Sequence, residues 1–353
     1  MASLPSINEY PTAGNDLPYL RCHSMPTPFY SFAPLIPIMA VITYFELINQ
    51  AMRLDREGRQ SEAYDLLTEI GERVVGNPAQ ILNFRYCIAS KLGDKELAFE
   101  LMREAIVDRG YWYGYDYLFE DDDLKPLRDS PEFKSLAEMC RGREAEAKKN
   151  SRPSLKIVKK EGLDPKRPKL LMALHGNGDS AALIEDYWLP SMRQGYSLAF
   201  PQSSQITFWE GYTWADLDKG RSELSQHISS IQSGIAVEPT DMVVAGFSGG
   251  ARLALLAVMK GDVTPGGLIL VAPWLPELDK WEEEIRYIGE KKIRFWILCG
   301  DQDHDCLEGS KRLGSILRKA GAHAHLDIVQ DLDHDFPVDF EVRLSKALKE
   351  LQD

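Results

Sequence analysis

Two periodicities divide the chain. From about Val41 to Ala147, apolar positions recur every three or four residues, the spacing of a helix face. Phe45, Ile48 and Met52 form one stripe, and Ala63, Leu66, Leu67 and Ile70 the next. Ile81, Phe84, Cys87 and Ile88 then run to Gly93, and Ala98, Leu101, Met102 and Ala105 follow. Beyond Asn150-Ser151-Arg152-Pro153 the pattern changes to short continuous apolar runs separated by helical stretches. The runs are Lys169–Leu174, Ser197–Phe200, Met242–Ala245, Leu268–Ala272, Arg294–Cys299 and Leu326–Val329. Asp218–Ile231 and Ala251–Met259 read as helices between them. Fully apolar strands alternating with helices predict a mostly parallel sheet covered on both faces, an α/β architecture preceded by an all-α segment.

The helical part has an internal echo. Gly58-Arg59-Gln60-Ser61-Glu62-Ala63 aligns with Gly93-Asp94-Lys95-Glu96-Leu97-Ala98, with Leu67 and Met102 four residues further on. Gly at a turn, then a small Ala where paired helices approach, resembles the tetratricopeptide repeat over about two units. The resemblance implies a helical module able to meet a protein partner. Ahead of it, residues 1–38 hold Pro5, Pro11, Pro18, Pro26, Pro28 and Pro34 with little periodicity, so an irregular extension is expected. A start at Met39 would leave the helical domain intact, a point that N-terminal sequencing of the natural protein decides. The uncharged stretch 29–45 is shorter than the ~20 residues of a spanning helix and is broken by Pro34 and Pro37. It also lacks the flanks of a signal peptide. The expected domains are therefore 1–38 (irregular), 39–150 (helical) and 151–353 (α/β).

Charge narrows the classes of ligand. The chain carries 54 Asp and Glu against 41 Lys and Arg, a net charge of −13. The imbalance is −7 over residues 1–150 and −6 over the rest, so neither an acidic tail nor a basic arm stands out. Such a chain repels a phosphate backbone or an anionic bilayer, which argues against nucleic acid and against a membrane span. Five cysteines, Cys22, Cys87, Cys140, Cys299 and Cys306, show no C-x-x-C spacing. That disfavours a disulfide framework or a zinc ribbon and fits a reducing, cytoplasmic setting. The run Asp121-Asp122-Asp123 lacks the alternating ligands and Gly of a calcium loop and reads as a solvated turn.

The chemistry centres on Gly246-Phe247-Ser248-Gly249-Gly250, which follows an apolar strand and opens a helix. In that context G-x-S-x-G is a nucleophile elbow, a turn too tight for side chains beside the serine. A serine nucleophile needs a base and an orienting acid. Four histidines follow Ser248, and His334 sits in the polar loop Asp331–Pro337 between the last strand and the last helix. His323 and His325 flank the start of that strand and read as surface residues. The loop Gly300-Asp301-Gln302-Asp303-His304-Asp305 offers three carboxylates, ranked Asp303, then Asp301, then Asp305. Backbone N–H groups of Asn177 and Gly249 are the candidate oxyanion donors, with His175 orienting the loop that carries Asn177. Trp209 and Trp214, with Tyr212, Trp274 and Trp281, follow strand ends and are candidates for the substrate pocket; ordinary core packing is the competing role.

These residues resemble the α/β-hydrolase superfamily, and within it the phospholipase/carboxylesterase family that includes acyl-protein thioesterases. The resemblance covers residues 155–353. It rests on His175-Gly176-Asn177-Gly178-Asp179, Pro201-Gln202-Ser203-Ser204-Gln205 with Trp214, the Ser248 elbow, Gly300 with Asp303, and His334. The chain departs from that family at Asn177, where Leu is common, and at Gly249, where Gln is common. The resemblance implies hydrolysis of a carboxylic ester or thioester through Ser248, His334 and Asp303, with no cofactor and no metal, and the absence of a long insertion between Ala272 and Arg294 points to a small-molecule or exposed substrate. Two alternatives stay open: a peptide- or partner-binding helical-repeat protein whose hydrolase part is inactive or secondary, and a serine peptidase of the same fold.

Overall fold

The computed structural model describes residues 42–160, 168–234, 237–289 and 291–352. The expected irregular extension 1–38, Met39 and Cys22 lie outside the described residues. The first half is helical, as its periodicity requires. Helices α1 (Tyr44–Arg56), α2 (Gln60–Ile70), α3 (Pro78–Lys91) and α4 (Lys95–Arg103) form two hairpins, followed by α5 (Tyr115–Glu120) and α6 (Pro131–Asn150). The turns at Gly58 and Gly93 adopt φ of 78° and 82°, a region that glycine enters without a Cβ penalty. Local chemistry starts the helices. Thr43 accepts from the Glu46 amide at 3.1 Å. Asn77 accepts from the Ala79 amide at 3.0 Å and Ser130 from the Glu132 amide at 3.1 Å, each just before a proline at the first helical position.

The second half is an α/β-hydrolase fold. In chain order it runs β1 (Ser154–Val158), β2 (Lys169–Leu174), α7 (Ala181–Trp188), β3 (Tyr196–Gln202), the hairpin β4 (Gln205–Phe208) and β5 (Gly211–Thr213), and α8 (Leu217–Gly234). Then come β6 (Met242–Phe247), α9 (Gly249–Lys260), β7 (Gly267–Val271), α10 (Glu282–Gly289), β8 (Arg294–Gly300), α11 (Leu307–Lys319), β9 (Ala324–Val329) and α12 (Phe340–Glu350). The main sheet has the order β1-β3-β2-β6-β7-β8-β9. All neighbours are parallel except β1, which pairs antiparallel with β3. The six expected strands are present. β1 and the β4–β5 hairpin are additions to the sequence reading.

Alternation along the central strands divides the core. Leu171, Ala173, Val243 and Ala245 face one cluster, together with Trp188 of α7 and Leu344 and Leu348 of α12. Leu170, Met172, Leu174 and Val244 face the other, with residues of α8 through α11. The first cluster also takes in Tyr44, Phe45, Leu47, Ile48 and Ala51 of α1 and Leu67 of α2. The helical segment is thus packed into the same core as one face of the sheet. A third cluster, built from α3 to α6, receives Ile206, Phe208 and Trp209 from the hairpin. Among the described residues no helix is long and apolar enough to cross a membrane.

Candidate active site

Ser248 stands where β6 ends and α9 begins, with φ of 51° and ψ of −117°. A non-glycine residue in this region is strained and persists only where its surroundings fix it. They do so here: its amide donates to the Val271 carbonyl at 2.9 Å, and its carbonyl accepts from Arg252 at 3.1 Å. Gly250 packs against the backbone of Leu174 and His175, where a Cβ would overlap. At Gly249 a Cβ would lie 2.5 Å from the Asn177 side chain.

Asp303 and His334 come from the loops after β8 and β9. Asp303 is buried, and its Oδ2 lies 2.7 Å from His334 Nδ1. Its Oδ1 accepts from the Cys306 amide at 3.1 Å. With Nδ1 engaged, Nε2 of His334 is the ring nitrogen left for another partner. Burial pulls the His334 pKa down, but the hydrogen bond and charge of Asp303, helped by Asp179 and Asp333, leave it raised above 6.5. The other two carboxylates of the first loop have other surroundings, although Asp305 lines the same cavity as Asp303 and Ser248. Asp301 accepts from the Asp331 amide at 2.8 Å, tying the two loops together, and Asp305 is exposed.

The loop after β2 is held from beneath by His175. Its Nδ1 donates to the Gly176 carbonyl at 2.7 Å, and its Nε2 accepts from the Ser203 amide at 3.2 Å. Burial lowers its pKa to about 4, so the ring stays neutral as that pattern requires. Asn177 is exposed above it, and its Oδ1 accepts from Thr213 Oγ1 and from the Trp214 amide, each at 2.9 Å. The Asn177 side chain therefore lies against Gly249, the residue after Ser248.

A cavity of about 440 Å³ opens over these residues, a volume within the usual range for a small-molecule site. Its floor carries Ser248, His334, Asp303, Asp179 and Trp274. One wall is α1, through Phe45, Ile48, Asn49, Met52 and Arg56, which share a face at helical spacing. Trp209 and Trp214 do not line it, contrary to the sequence expectation. Trp214 is buried beneath His175, stacked at 4.8 Å with its indole N–H on the His175 carbonyl. Trp209 packs on Tyr111 at 4.5 Å, and its amide donates to Trp112. Both anchor structure, and Trp274 is the tryptophan at the cavity.

A solved structure with 38% sequence identity is that of an uncharacterized protein from Bacillus cereus ATCC 10987; the match covers 88% of this chain and all 100% of that one, at a TM-score of 0.52. The chain belongs to the same family as this protein. A family model described as the A/B hydrolase-like N-terminal domain matches residues 43–148, the helical segment α1 to α6. More distant likenesses include esterase PE8, at 18% identity over 57% of this chain and 99% of that one, with a TM-score of 0.49. SOBER1 of Arabidopsis thaliana is 16% identical over 53% of this chain and 100% of its own, with a TM-score of 0.44. No curated protein matches the sequence.

Within this α/β-hydrolase fold, two parts of the site were not evident from the sequence. One is Asp179, a buried carboxyl at the cavity floor whose pKa burial pushes up to about 7 against the opposing pull of His334 and the Gly176 amide. It stands in the His175–Asp179 motif, but nothing in a linear motif shows its closeness to His334. The other is α1, whose stripe reads as core and turns out to be core and cavity wall at once. Asp303, Cys306 and His334 also bring three donor atoms within 4.8 Å of one another. Asp303 and His334 bond each other, and burial raises the pKa of the Cys306 thiol above its ordinary range.

Proposed function

We propose that the protein is a serine hydrolase acting on a carboxylic ester or thioester through an acyl-enzyme. The observation that carries this is the Asp303–His334 pair, 2.7 Å apart, in the same cavity as the strained Ser248. In this mechanism Ser248 Oγ attacks the acyl carbonyl while His334 Nε2 takes its proton. Asp303 holds the imidazole in the tautomer with hydrogen on Nδ1 and stabilises the imidazolium. The amides of Gly249 and Asn177 receive the oxyanion, each such donor being worth roughly 10²–10³ in rate. His334 then protonates the leaving group, and water enters by the reverse sequence. The phospholipase/carboxylesterase likeness of the motifs belongs to this proposal, as does the division into domains at residue 150.

The helical segment serves in this reading as a wall of the site. Its two hairpins turn at Gly58 and Gly93, and the α1 face that carries Phe45, Ile48 and Met52 lines the cavity. A fluorophosphonate probe tests the reading. The wild-type protein should label at Ser248 and Ser248→Ala should not. Turnover of p-nitrophenyl esters, an acyl thioester and aminoacyl-naphthylamides then separates esterase, thioesterase and peptidase. If the wild type neither labels nor turns over any of them, the protein is a binding module.

A further inference from the structure

Asn49 sits in the second turn of α1, on the cavity-facing stripe between Phe45, Ile48 and Met52. Nothing in helix formation calls for it. Asparagine is a poor interior helix residue because its amide competes with the backbone, and a stripe buried against a core favours an apolar side chain. What it does is cross to the other half of the chain. Its Nδ2 donates to the backbone carbonyl of His334 at 2.9 Å. On the other side of the same residue, the His334 amide donates to Asp333 Oδ1 at 2.9 Å. The His334 peptide units are thus held on both sides, one of them by a side chain 285 positions away in sequence.

The helix that carries Asn49 is itself anchored at both ends. At the start, Tyr44 donates to Gln80 Oε1 at 2.7 Å. There Phe45 also packs on Phe247, the residue before Ser248, at 5.3 Å. At the end, Arg56 lies 3.6 Å from Asp333, the neighbour of His334. The same short helix therefore touches the serine elbow and the histidine loop. We infer that Asn49 is a positioning residue for the hydrolysis proposed above: from the helical segment, it fixes the backbone of His334 so that the imidazole spans Asp303 and Ser248. The inference rests on the reading of Ser248 and His334 as nucleophile and base. Its mechanism is geometric, since a base displaced by a fraction of an ångström loses proton transfer before it loses substrate binding.

Two variants and one control test it. Asn49→Leu removes the donor, and Asn49→Asp keeps the shape but sets an acceptor against the His334 carbonyl. Both should lower kcat for a short p-nitrophenyl ester about 10-fold or more, with KM within about twofold, and slow fluorophosphonate labelling by the same factor. Asn49→Gln, which retains an amide donor, should recover part of the loss. Rates are counted per site titrated by the acyl-enzyme burst, so unfolded protein drops out. If both variants match wild type per titrated site, or if only KM moves, Asn49 has no such role. Loss confined to the number of titratable sites, with normal rates in those that remain, also overturns the inference. A wild-type protein that labels at a residue other than Ser248, with labelling unchanged in Ser248→Ala, would instead sink the hydrolase reading itself.

Discussion

In the proposed mechanism the His334 imidazole must be neutral to accept a proton from Ser248, so its neighbours would set the pH dependence of that activity. Asp303, Asp179 and Asp333 raise its pKa above the 6.5 of a free histidine despite burial. The proposed activity should accordingly rise with pH through a midpoint above 6.5, read from kcat/KM for an uncharged ester. Asp303→Asn removes the largest raising contribution. Its midpoint should move down, and kcat should fall by about 10³–10⁴-fold because the ring loses its tautomer. A midpoint unchanged in that variant would separate Asp303 from His334. The neighbouring Gly249 tests the other half of the site. A methyl group there would lie 2.5 Å from Asn177, whose Oδ1 is held by Thr213 and Trp214. Gly249→Ala should therefore cut kcat by about 10- to 100-fold, and the double variant with Asn177→Gly should regain part of it. At this scale the strained turn at Ser248 and the Asp303–His334 pair were readable because chain order and loop position restrict the choices. The tryptophans were not, because a linear sequence does not say on which side of a loop an indole falls. Trp214 went under His175 to satisfy its N–H on a carbonyl.

Among elements, the strands with unbroken apolar runs were legible and the others were not. β2, β6, β7 and β8 are buried on both faces, so their composition alone marks them. β1 reads Ser-Leu-Lys-Ile-Val at a sheet edge, with three of its five residues exposed, and β4–β5 turns through Trp209 and Glu210 without the usual turn residues. The helix hairpins were visible through their glycines, and two glycines now allow opposite forecasts. Gly58, with φ of 78° and open space around it, gains nothing from a side chain and would be strained by one. Gly58→Ala should lower stability by about 1–2 kcal/mol, the cost of the left-handed region. Gly142 lies inside α6 in helical backbone, also in open space. Gly142→Ala should raise stability by about 0.5–1 kcal/mol. Urea midpoints of the two variants, measured together, check both signs; a shift in the same direction would refute the conformational argument.

For the molecule as a whole, the question is whether the helical half and the sheet fold as one. Composition drew a boundary near residue 150, and the chain does turn there from α6 to β1. Apolar contact ignores that line. Phe45 lies 5.3 Å from Phe247, 6.0 Å from Tyr187 and 6.2 Å from Phe336, three rings of the α/β half. Tyr187 and Phe336 stack in turn at 4.1 Å. An element whose buried face is completed only by another has little stability of its own, because helices of this length are marginal without tertiary packing. Removing the Phe45 ring should therefore weaken both halves together. Phe45→Ala is expected to cost about 3–5 kcal/mol, the usual range for a buried phenylalanine. In native-state hydrogen exchange the slowest amides of α1 to α3 and those of β2, β6 and β7 should lose protection by the same amount. If only the helical amides lose it, the halves unfold independently, and the wall over Ser248 is a separate cap that can open while the sheet stays folded.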